Sequence, residues 1–286
     1  MTSPLVSIVI PSYLSSSTII ETLESVVGQK FVGEIIVSLN GHDNSEELIS
    51  EFQNLNPQLN VKILEPGKEI LSAAENWKRA VSAANYEFTK LLCADDELLN
   101  SSIQFQADFL KEHIDCVLVS GTRRITDCGG QVLKQNHGGL FLIESNTSKR
   151  LLFAGALTGG NPAGEPSAIL FRTEQLKLAM PWSEVNPYVI DFEMYFRILK
   201  STGMKMGFMN REVSTFRVSS LSWSAQLVRM QGVEFRNLII GELRSLNKFV
   251  ALLFIGIVAI TSRLSTLGRK FFYWRVSRRS KLENRT

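Results

Sequence analysis

The chain has 286 residues, 44% of them apolar and 21% charged, which excludes bulk disorder and allows one large or two small domains with a buried core. The formal net charge is +3, yet residues 263–286 contain eight Lys and Arg and one Glu, so a basic tail follows a mildly acidic body. Such a tail favours an anionic surface as partner. Three cysteines without CxxC spacing argue against a disulfide framework or a zinc knuckle and favour a reducing compartment.

Short β-branched runs alternate with helical patterns over the first 111 residues, and Pro11 is expected to end the first strand. The predicted strands cover residues 5–10, 34–39, 61–64 and 88–93. The predicted helices cover residues 18–27, 44–52, 72–84 and 101–111. Capping-box spacing marks two helix starts, Thr18 with Glu21 and Ser72 with Glu75. The alternation predicts an α/β fold in which a mostly parallel central sheet carries helices on both faces.

Polar residues follow three of the predicted strands. They are Pro11-Ser12-Tyr13, Asn40-Gly41-His42-Asp43 and Asp95-Asp96-Glu97. Ligands of such sheets bind beyond the carboxyl ends of the strands, so these residues predict a nucleotide pocket. The three consecutive carboxylates are alone consistent with either a metal and nucleotide site or a solvated turn.

The middle of the chain is less regular. A fifth strand is predicted at 116–120, glycine turns at 129–130 and 138–139, a glycine-rich loop at 155–167 and a strand at 168–171. A helix is then predicted over 191–199, with Asp191 in its first turn, where the helix dipole favours the ionised carboxylate. From spacing alone, Asp191 is either a functional acid or a helix cap.

The last third changes character, with an amphipathic helix predicted between 227 and 246. Residues 249–262 contain no charge, and as a helix these fourteen residues span roughly 21 Å, short of the ~30 Å hydrocarbon core. The arginines and aromatic residues that follow favour a helix lying in the headgroup region of an anionic leaflet. The alternative is a buried core helix with a disordered basic tail.

Several functional classes lack their motifs. No G-x-G-x-x-G follows the first strand and no G-x-x-x-x-G-K-[ST] is present, which disfavours dinucleotide oxidoreductases and P-loop enzymes. The three histidines have no metal-ligand spacing. Nucleic acid is not expected as a partner, because the apolar segment beside the basic tail makes lipid the better candidate.

The order of these segments resembles the family 2 glycosyltransferases of the GT-A fold, which are inverting and use nucleotide sugars. The resemblance is strong over residues 5–110 and moderate to about 220. It is carried by the segments Val6 to Tyr13, Ser25 to Gln29, Glu34 to Val37, Asn76 to Ala80, Tyr86 to Asp96 and the Asp191 helix.

The resemblance implies a catalytic domain over 1–222, with a nucleotide-binding half (1–110) and an acceptor-binding half (111–222). The apolar and then basic sequence that follows predicts a membrane-associating region over 223–286. It assigns the donor nucleotide to Pro11, Ser12, Tyr13, Asn40, Asn76 and Asp95. Asp95 is expected to face the ribose and Asp96 a divalent cation, Mg²⁺ or Mn²⁺. Two positions depart from the family pattern: Asn40 stands where an acid is typical, and Cys93 where aspartate is frequent.

Asp191 is implied to be the general base that deprotonates the acceptor hydroxyl. Three further residues have alternatives left open. Glu165 either holds sugar hydroxyls or serves a turn, Arg217 meets the diphosphate or forms a structural salt bridge, and Trp182 stacks on a sugar or packs in the core. Ser219 stands where the family often has a histidine.

The resulting hypothesis is a membrane-associated glycosyltransferase at the cytoplasmic face of the inner (plasma) membrane, peripheral or monotopic. It would transfer a sugar with inversion from a nucleotide-sugar donor to a lipid-linked or polysaccharide acceptor in the synthesis of cell-surface polysaccharide. The alternatives are a non-catalytic scaffold that binds sugar nucleotides on the same fold, and a sugar nucleotidyltransferase.

Overall fold

The computed structural model describes residues 5–138, 145–147, 156–157, 161–182, 186–218, 228–243 and 248–283. The strands are β1 (Val6–Tyr13), β2 (Val32–Asn40), β3 (Val61–Leu64), β4 (Phe88–Leu91), β5 (Cys116–Thr126), β6 (Val132–His137), β7 (Ser145–Thr147), β8 (Ile169–Arg172) and β9 (Lys205–Arg217). The helices are α1 (Ile19–Glu24), α2 (Ser45–Leu55), α3 (Ala73–Ser82), α4 (Ser102–Glu112), α5 (Thr173–Leu178), α6 (Ile190–Thr202), α7 (Val228–Leu243) and α8 (Lys248–Glu283).

The strands form one sheet in the order β3-β2-β1-β4-β8-β5-β9-β7, with β6 paired to β5. The first four strands along the chain pair in parallel, and β5 also runs parallel to β9. Strand β8 lies antiparallel between β4 and β5 and joins the two parallel parts. The predicted α/β fold with a mostly parallel central sheet is therefore confirmed.

Alternation of side chains along the strands creates a core on each face of the sheet. Ile8 and Ile10 of β1 point to one face, where α1, α2 and α4 cover them, whereas Val9 points to the other. On that second face α3, α5, α6 and α7 supply the apolar cover. Because each helix shields one face, the central strands β1, β4 and β8 are buried on both faces.

The first strand is longer than predicted, since it continues through Pro11 to Tyr13. Proline has no N–H to give to a sheet, so we expected the strand to stop there. Pairing with β4 ends at Val9, however, and beyond that point β1 is bonded to β2 alone, up to the pair Tyr13 and Asn40. Pro11 thus lies where β1 has a neighbouring strand on one side only, so its missing N–H is tolerated. The continued strand places Tyr13 at the edge of the sheet.

Only one of the two predicted capping boxes forms. Ser72 accepts a hydrogen bond from the backbone N–H of Glu75, and the Glu75 carboxylate accepts one from the N–H of Ser72. Thr18 makes no cap at α1; its hydroxyl instead donates to the carbonyl of Ala94 at 2.8 Å. That bond ties the start of α1 to the loop that carries the predicted metal-site acids.

The two C-terminal helices pack on α6. Phe192 of α6 and Phe235 of α7 lie with ring centroids 5.0 Å apart, and Val258 of α8 is buried in the same core. Gly232 lets α7 approach α8 closely, because a side chain there would strike Thr266. Among the described residues, no helix combines the length and the apolar character that a membrane crossing requires.

The capping box at α3 gives a test of the local fold. We expect Ser72→Ala to lower the free energy of unfolding by about 1 kcal/mol, because the N–H of Glu75 in the first turn loses its acceptor. Urea denaturation measures this change. Ser101→Ala is the matched control, since Ser101 precedes α4 without any side-chain cap bond; equal losses in the two variants would contradict the assignment.

Candidate active site

Two connected cavities open at the carboxyl ends of β1, β2 and β4. The larger has a volume of about 990 Å³ and runs between β1, the start of α3 and the loop after β4. The smaller has a volume of about 260 Å³ and lies between that loop, the 165–166 turn and the start of α6. Five residues line both cavities: Ala73, Trp77, Cys93, Asp95 and Arg217.

The loop after β4 places a possible cation site at the junction of the cavities. One ligand atom each from Cys93, Asp95 and Asp96 lies within 4.8 Å of the other two. Asp95 is exposed and lines both cavities, whereas Asp96 is 1% exposed and lines the smaller one. Carboxylate oxygens suit Mg²⁺ and Mn²⁺, so this donor set fits the expected divalent cation. The structure adds Asp95 and Cys93 to Asp96 as candidate ligands.

Asp96 is fixed by hydrogen bonds from two distant segments. Its Oδ2 accepts from the hydroxyl of Ser167 at 2.6 Å, and its Oδ1 accepts from the backbone N–H of Arg217 at 3.1 Å. Burial and the neighbouring charge of Asp95 raise the pKa of Asp96 well above its ordinary value. Burial and the same carboxylates also raise the pKa of the Cys93 thiol. A bound cation would balance the negative charge of these neighbouring carboxylates.

Asp191 lies in the first turn of α6, as predicted, and faces the smaller cavity. Its Oδ2 accepts a hydrogen bond from the Asn161 amide at 2.8 Å, and Asn161 is itself held by Gly164 and Ala163. Burial outweighs these bonds and raises the pKa of Asp191 from 3.8 to about 6. The carboxylate is therefore ionised at neutral pH yet basic enough to accept a proton.

The predicted nucleotide residues divide into two groups. Pro11 and Tyr13 line the larger cavity, and Tyr13 is 50% exposed, so its ring is available to a base. Ser12, between them, is buried and outside the residues that line either cavity. Its backbone carbonyl accepts a hydrogen bond from Asn76, so its role in the structure is to hold the strand end.

Asn40 and Asn76 line the larger cavity, but their side-chain amides form hydrogen bonds within the protein. Asn40 exchanges two hydrogen bonds with the backbone of Leu71, at 2.9 and 3.0 Å. Asn76 accepts from the hydroxyl of Ser38 at 2.7 Å and donates to the carbonyls of Ser12 and Ser38. These bonds anchor the start of α3 to the ends of β1 and β2, and thereby shape the cavity wall.

The other three predicted residues occupy different surroundings. Glu165 lines the smaller cavity and forms an ion pair with the buried Arg123. Arg217 lines both cavities and forms ion pairs with Glu21 and, at 3.0 Å, Glu97. Arg217 thus combines a salt-bridge role with a place on the cavity wall.

Trp182 lies in the core, 4% exposed, and lines neither cavity, so its predicted sugar contact is not available in this arrangement. Its ring meets that of Trp77 edge-on, with centroids 6.4 Å apart. Trp77 lines both cavities and is the tryptophan available to a sugar face. The α3 capping box, formed by Ser72 and Glu75, fixes the start of the helix five and two residues before Trp77. Ser219 falls outside the described residues.

Sequence reasoning missed three residues that organise the site: Asn161, Ser167 and Arg123. Each acts on a predicted residue, namely Asp191, Asp96 and Glu165 respectively. Their partners are 30, 71 and 42 positions away along the chain, and no local spacing marks such pairs. Only the glycine-rich character of the 155–167 loop indicated that functional contacts lie there.

The α/β sheet presents acids from its strand ends to the larger cavity, and Asp191 lies across the smaller one. This arrangement fits a glycosyltransferase of the GT-A type. Residues 7–176, more than half of the chain, match the family model described as Glycosyl transferase family 2, and the chain belongs to this family. It is a glycosyltransferase. No curated protein matches its sequence significantly.

Solved structures show the same fold. Residues 1–349 of TarS from S. aureus superpose with a TM-score of 0.64 at 16% identity, over 90% of this chain and 71% of that one. TarS 1–349 in complex with UDP-GlcNAc gives a TM-score of 0.62 at 16% identity, over 94% and 73%. The mannosyltransferase PcManGT from Pyrobaculum calidifontis, in complex with GDP-Man and Mn²⁺, gives 0.64 at 14%, over 91% and 74%.

The raised pKa of Asp191 predicts how stability depends on pH. Because the folded-state pKa exceeds the unfolded value of 3.8, ionisation destabilises the fold as pH rises from 3.8 through about 6. We expect Asp191→Asn to raise the free energy of unfolding on the order of 2 kcal/mol at about pH 8, and to give no gain at about pH 3. Denaturation curves at both pH values measure the difference.

Asp115→Asn is the control of opposite sign. Asp115 is bonded to Lys205 at the far end of β5 and β9, which lowers the pKa of Asp115. Its loss therefore costs stability at neutral pH and nothing at acid pH. A wild-type protein that is more stable than Asp191→Asn at pH 8 would contradict the burial argument.

Proposed function

We propose that this enzyme transfers a sugar with inversion from a nucleotide-sugar donor to a hydroxyl of a lipid-linked saccharide or polysaccharide acceptor. The observation that carries the proposal is the meeting of two cavities at Asp95, one large enough for a nucleotide and the other ending at Asp191. A displacement needs its leaving group and its attacking group on opposite sides of one carbon. The two cavities supply those two sides.

The larger cavity is the proposed donor site. The exposed ring of Tyr13 offers a stacking surface for the base, and Asp95 is placed to meet the ribose or a cation on the diphosphate. Arg217, at the junction, adds positive charge near the position of the diphosphate. The likeness to structures solved with UDP-GlcNAc and with GDP-Man supports a nucleotide-sugar donor.

A divalent cation, Mg²⁺ or Mn²⁺, is the proposed cofactor. Asp95 and Asp96 would hold it, with diphosphate oxygens completing its coordination. When bound, it stabilises the negative charge that develops on the departing nucleoside diphosphate. Ser167 and the backbone N–H of Arg217 keep Asp96 oriented for this purpose.

The smaller cavity is the proposed acceptor site. Asp191 accepts the proton of the attacking hydroxyl, and Asn161 holds its carboxylate in one orientation while this happens. Glu165 and the indole of Trp77 line the same space and are placed for the hydroxyls and the ring face of a sugar. One base and a single displacement give inversion at the anomeric carbon.

The C-terminal helix α8 supports attachment to an anionic membrane. Its face away from the protein carries exposed apolar side chains spaced three to five residues apart. These residues, here named the apolar stripe, are Leu252, Ile257, Ile260, Leu264, Leu267, Phe271 and Trp274. Arg263 and Lys270 are also exposed, and the sequence adds more arginines toward the end of the helix. Apolar side chains with flanking cations suit a helix lying in the headgroup region of an anionic leaflet.

This membrane contact would place the enzyme peripherally at the cytoplasmic face of the plasma membrane, where a lipid-linked acceptor is held in the bilayer. Gln231 of α7 lines the smaller cavity, and α7 packs directly against α8. The proposed acceptor site and the membrane helix are therefore neighbours. Synthesis of cell-surface polysaccharide is the process that best fits this arrangement.

The donor and base assignments are tested with purified protein, Mn²⁺, a panel of nucleotide sugars and a membrane lipid extract, with products followed by mass spectrometry. We expect Asp95→Asn to lose donor binding. We expect Asp191→Asn to retain donor binding while transfer falls about 10²- to 10⁴-fold, because the general base is lost. The wild-type rate should rise with pH through about 6, the pKa of Asp191.

Asp115→Asn, at the opposite end of the sheet, controls for the loss of an unrelated carboxylate. Absence of binding or turnover with every donor would refute the proposed function. Donor binding with equal transfer by wild type and Asp191→Asn would remove Asp191 from the base role.

The membrane contact is tested by sedimentation with phosphatidylglycerol vesicles. We expect wild type to pellet with the vesicles and Leu264→Glu/Leu267→Glu to stay in solution, since each buried leucine contributes about 1.5–3 kcal/mol. Leu178→Glu is the control, because Leu178 is an exposed leucine of α5 outside the apolar stripe. The membrane assignment would be contradicted if the wild-type protein did not bind the vesicles. It would also be contradicted if the apolar stripe formed a dimer interface in solution instead.

A further inference from the structure

The proposed cation site contains a sulfur atom as well as carboxylates. Cys93 is the second residue after the end of β4, and it lines both cavities beside Asp95. Its Sγ belongs to the group of three ligand atoms that lie within 4.8 Å of one another.

We propose that Cys93 is a ligand of the divalent cation and makes this site prefer softer cations such as Co²⁺, Zn²⁺ and Cd²⁺ over Mg²⁺. The inference rests on the proposed function, since it concerns the cation of that same site. It assigns the metal preference of this chain to one side chain.

The geometry allows one cation to reach the sulfur and the carboxylates together. Metal–sulfur and metal–oxygen bonds of about 2.3 and 2.1 Å place ligands on opposite sides of a cation about 4.4 Å apart. The three ligand atoms lie within 4.8 Å, so small rotations of the side chains close the set. Each oxygen of Asp96 accepts one protein hydrogen bond and retains a lone pair for a metal.

The backbone at Cys93 is fixed, which keeps the thiol at the junction. Its N–H donates to the hydroxyl of Ser167 at 3.0 Å, and its carbonyl accepts from the N–H of Asp96 at 3.1 Å. Ser167 in turn donates to Asp96. The same short network therefore positions the sulfur and one of the carboxylates.

The chemistry of sulfur then sets the preference. Thiolate is a soft ligand that favours zinc-like metals, whereas Mg²⁺ takes oxygen ligands in a near-ideal octahedron. As the metal–sulfur bond forms, the thiol proton leaves to solvent. Mg²⁺ gains little from this exchange, so it binds through the carboxylates and diphosphate alone.

The test uses the full-length protein with Co²⁺ and UDP as probes. A Co²⁺–thiolate bond gives charge-transfer absorption in the near ultraviolet, which carboxylates do not give. We expect this absorption in wild type and in Cys128→Ser, whose cysteine also lines the larger cavity, and its loss in Cys93→Ser.

Competition between Mg²⁺ and Cd²⁺ provides the second measurement. We expect Cys93→Asp to shift the ratio of the two affinities toward Mg²⁺ by about tenfold or more, because an oxygen replaces the sulfur. Asp95→Asn should weaken both cations. Circular dichroism of the variants confirms that each is folded.

The outcomes separate the two proposals. Loss of the absorption in Cys93→Ser together with the shifted ratio in Cys93→Asp supports the inference. Sugar transfer that depends on Mn²⁺, with absorption and metal ratio unchanged by substitution of Cys93, overturns the inference and leaves the proposed function standing. Absence of any cation binding and of any transfer overturns both.

Discussion

The carboxylate of Asp96 is the contact on which the rest of the site depends. It is buried behind the cavity and joins three separate parts of the chain: the loop after β4, the turn at Ser167 and the end of β9 at Arg217. A buried carboxylate needs strong donors, and its two partners come from 71 and 121 positions away. The requirement to satisfy one charge thus brings the donor-side acids and the acceptor-side turn to the same point.

Burial also sets the chemistry of Asp191, against the direction that helix position alone suggests. The start of α6 favours a negative charge, but removal from water and the nearby charge of Glu165 dominate and raise the pKa to about 6. Arg123 forms an ion pair with Glu165. It lies so close to Gly138 and Gly164 that a side chain at either position would strike its guanidinium. The 161–167 segment therefore tunes the proposed base as well as lining its cavity.

Local pattern predicted the strands and helices up to β5 and their order, but it missed β6, β7, β9 and α5, and it did not predict the contacts between elements. Helix α3 and strand β3 follow from a capping box and an apolar run, and Asp191 from the helix that it begins. The prediction that β1 ends at Pro11 was wrong. A missing N–H destabilises a strand only where a neighbouring strand would accept a hydrogen bond from it, and the neighbours are known only once the sheet is known. Asn40 was predicted to contact the nucleotide, yet its side-chain oxygen and nitrogen both form hydrogen bonds with the backbone of Leu71. Residues 40 and 71 meet only after the fold has formed.

The C-terminal helices connect the smaller cavity with the apolar stripe. The carboxylate of Glu234 in α7 accepts a hydrogen bond from the N–H of Tyr188, which lines the smaller cavity two residues before the start of α6. Gln231, one helical turn earlier, lines the cavity itself. Since α7 also packs against α8, the helix that carries the apolar stripe is next to the helix that lines the smaller cavity. Binding of α8 to a bilayer would therefore orient the smaller cavity, and with it Asp191, toward the membrane that holds the acceptor.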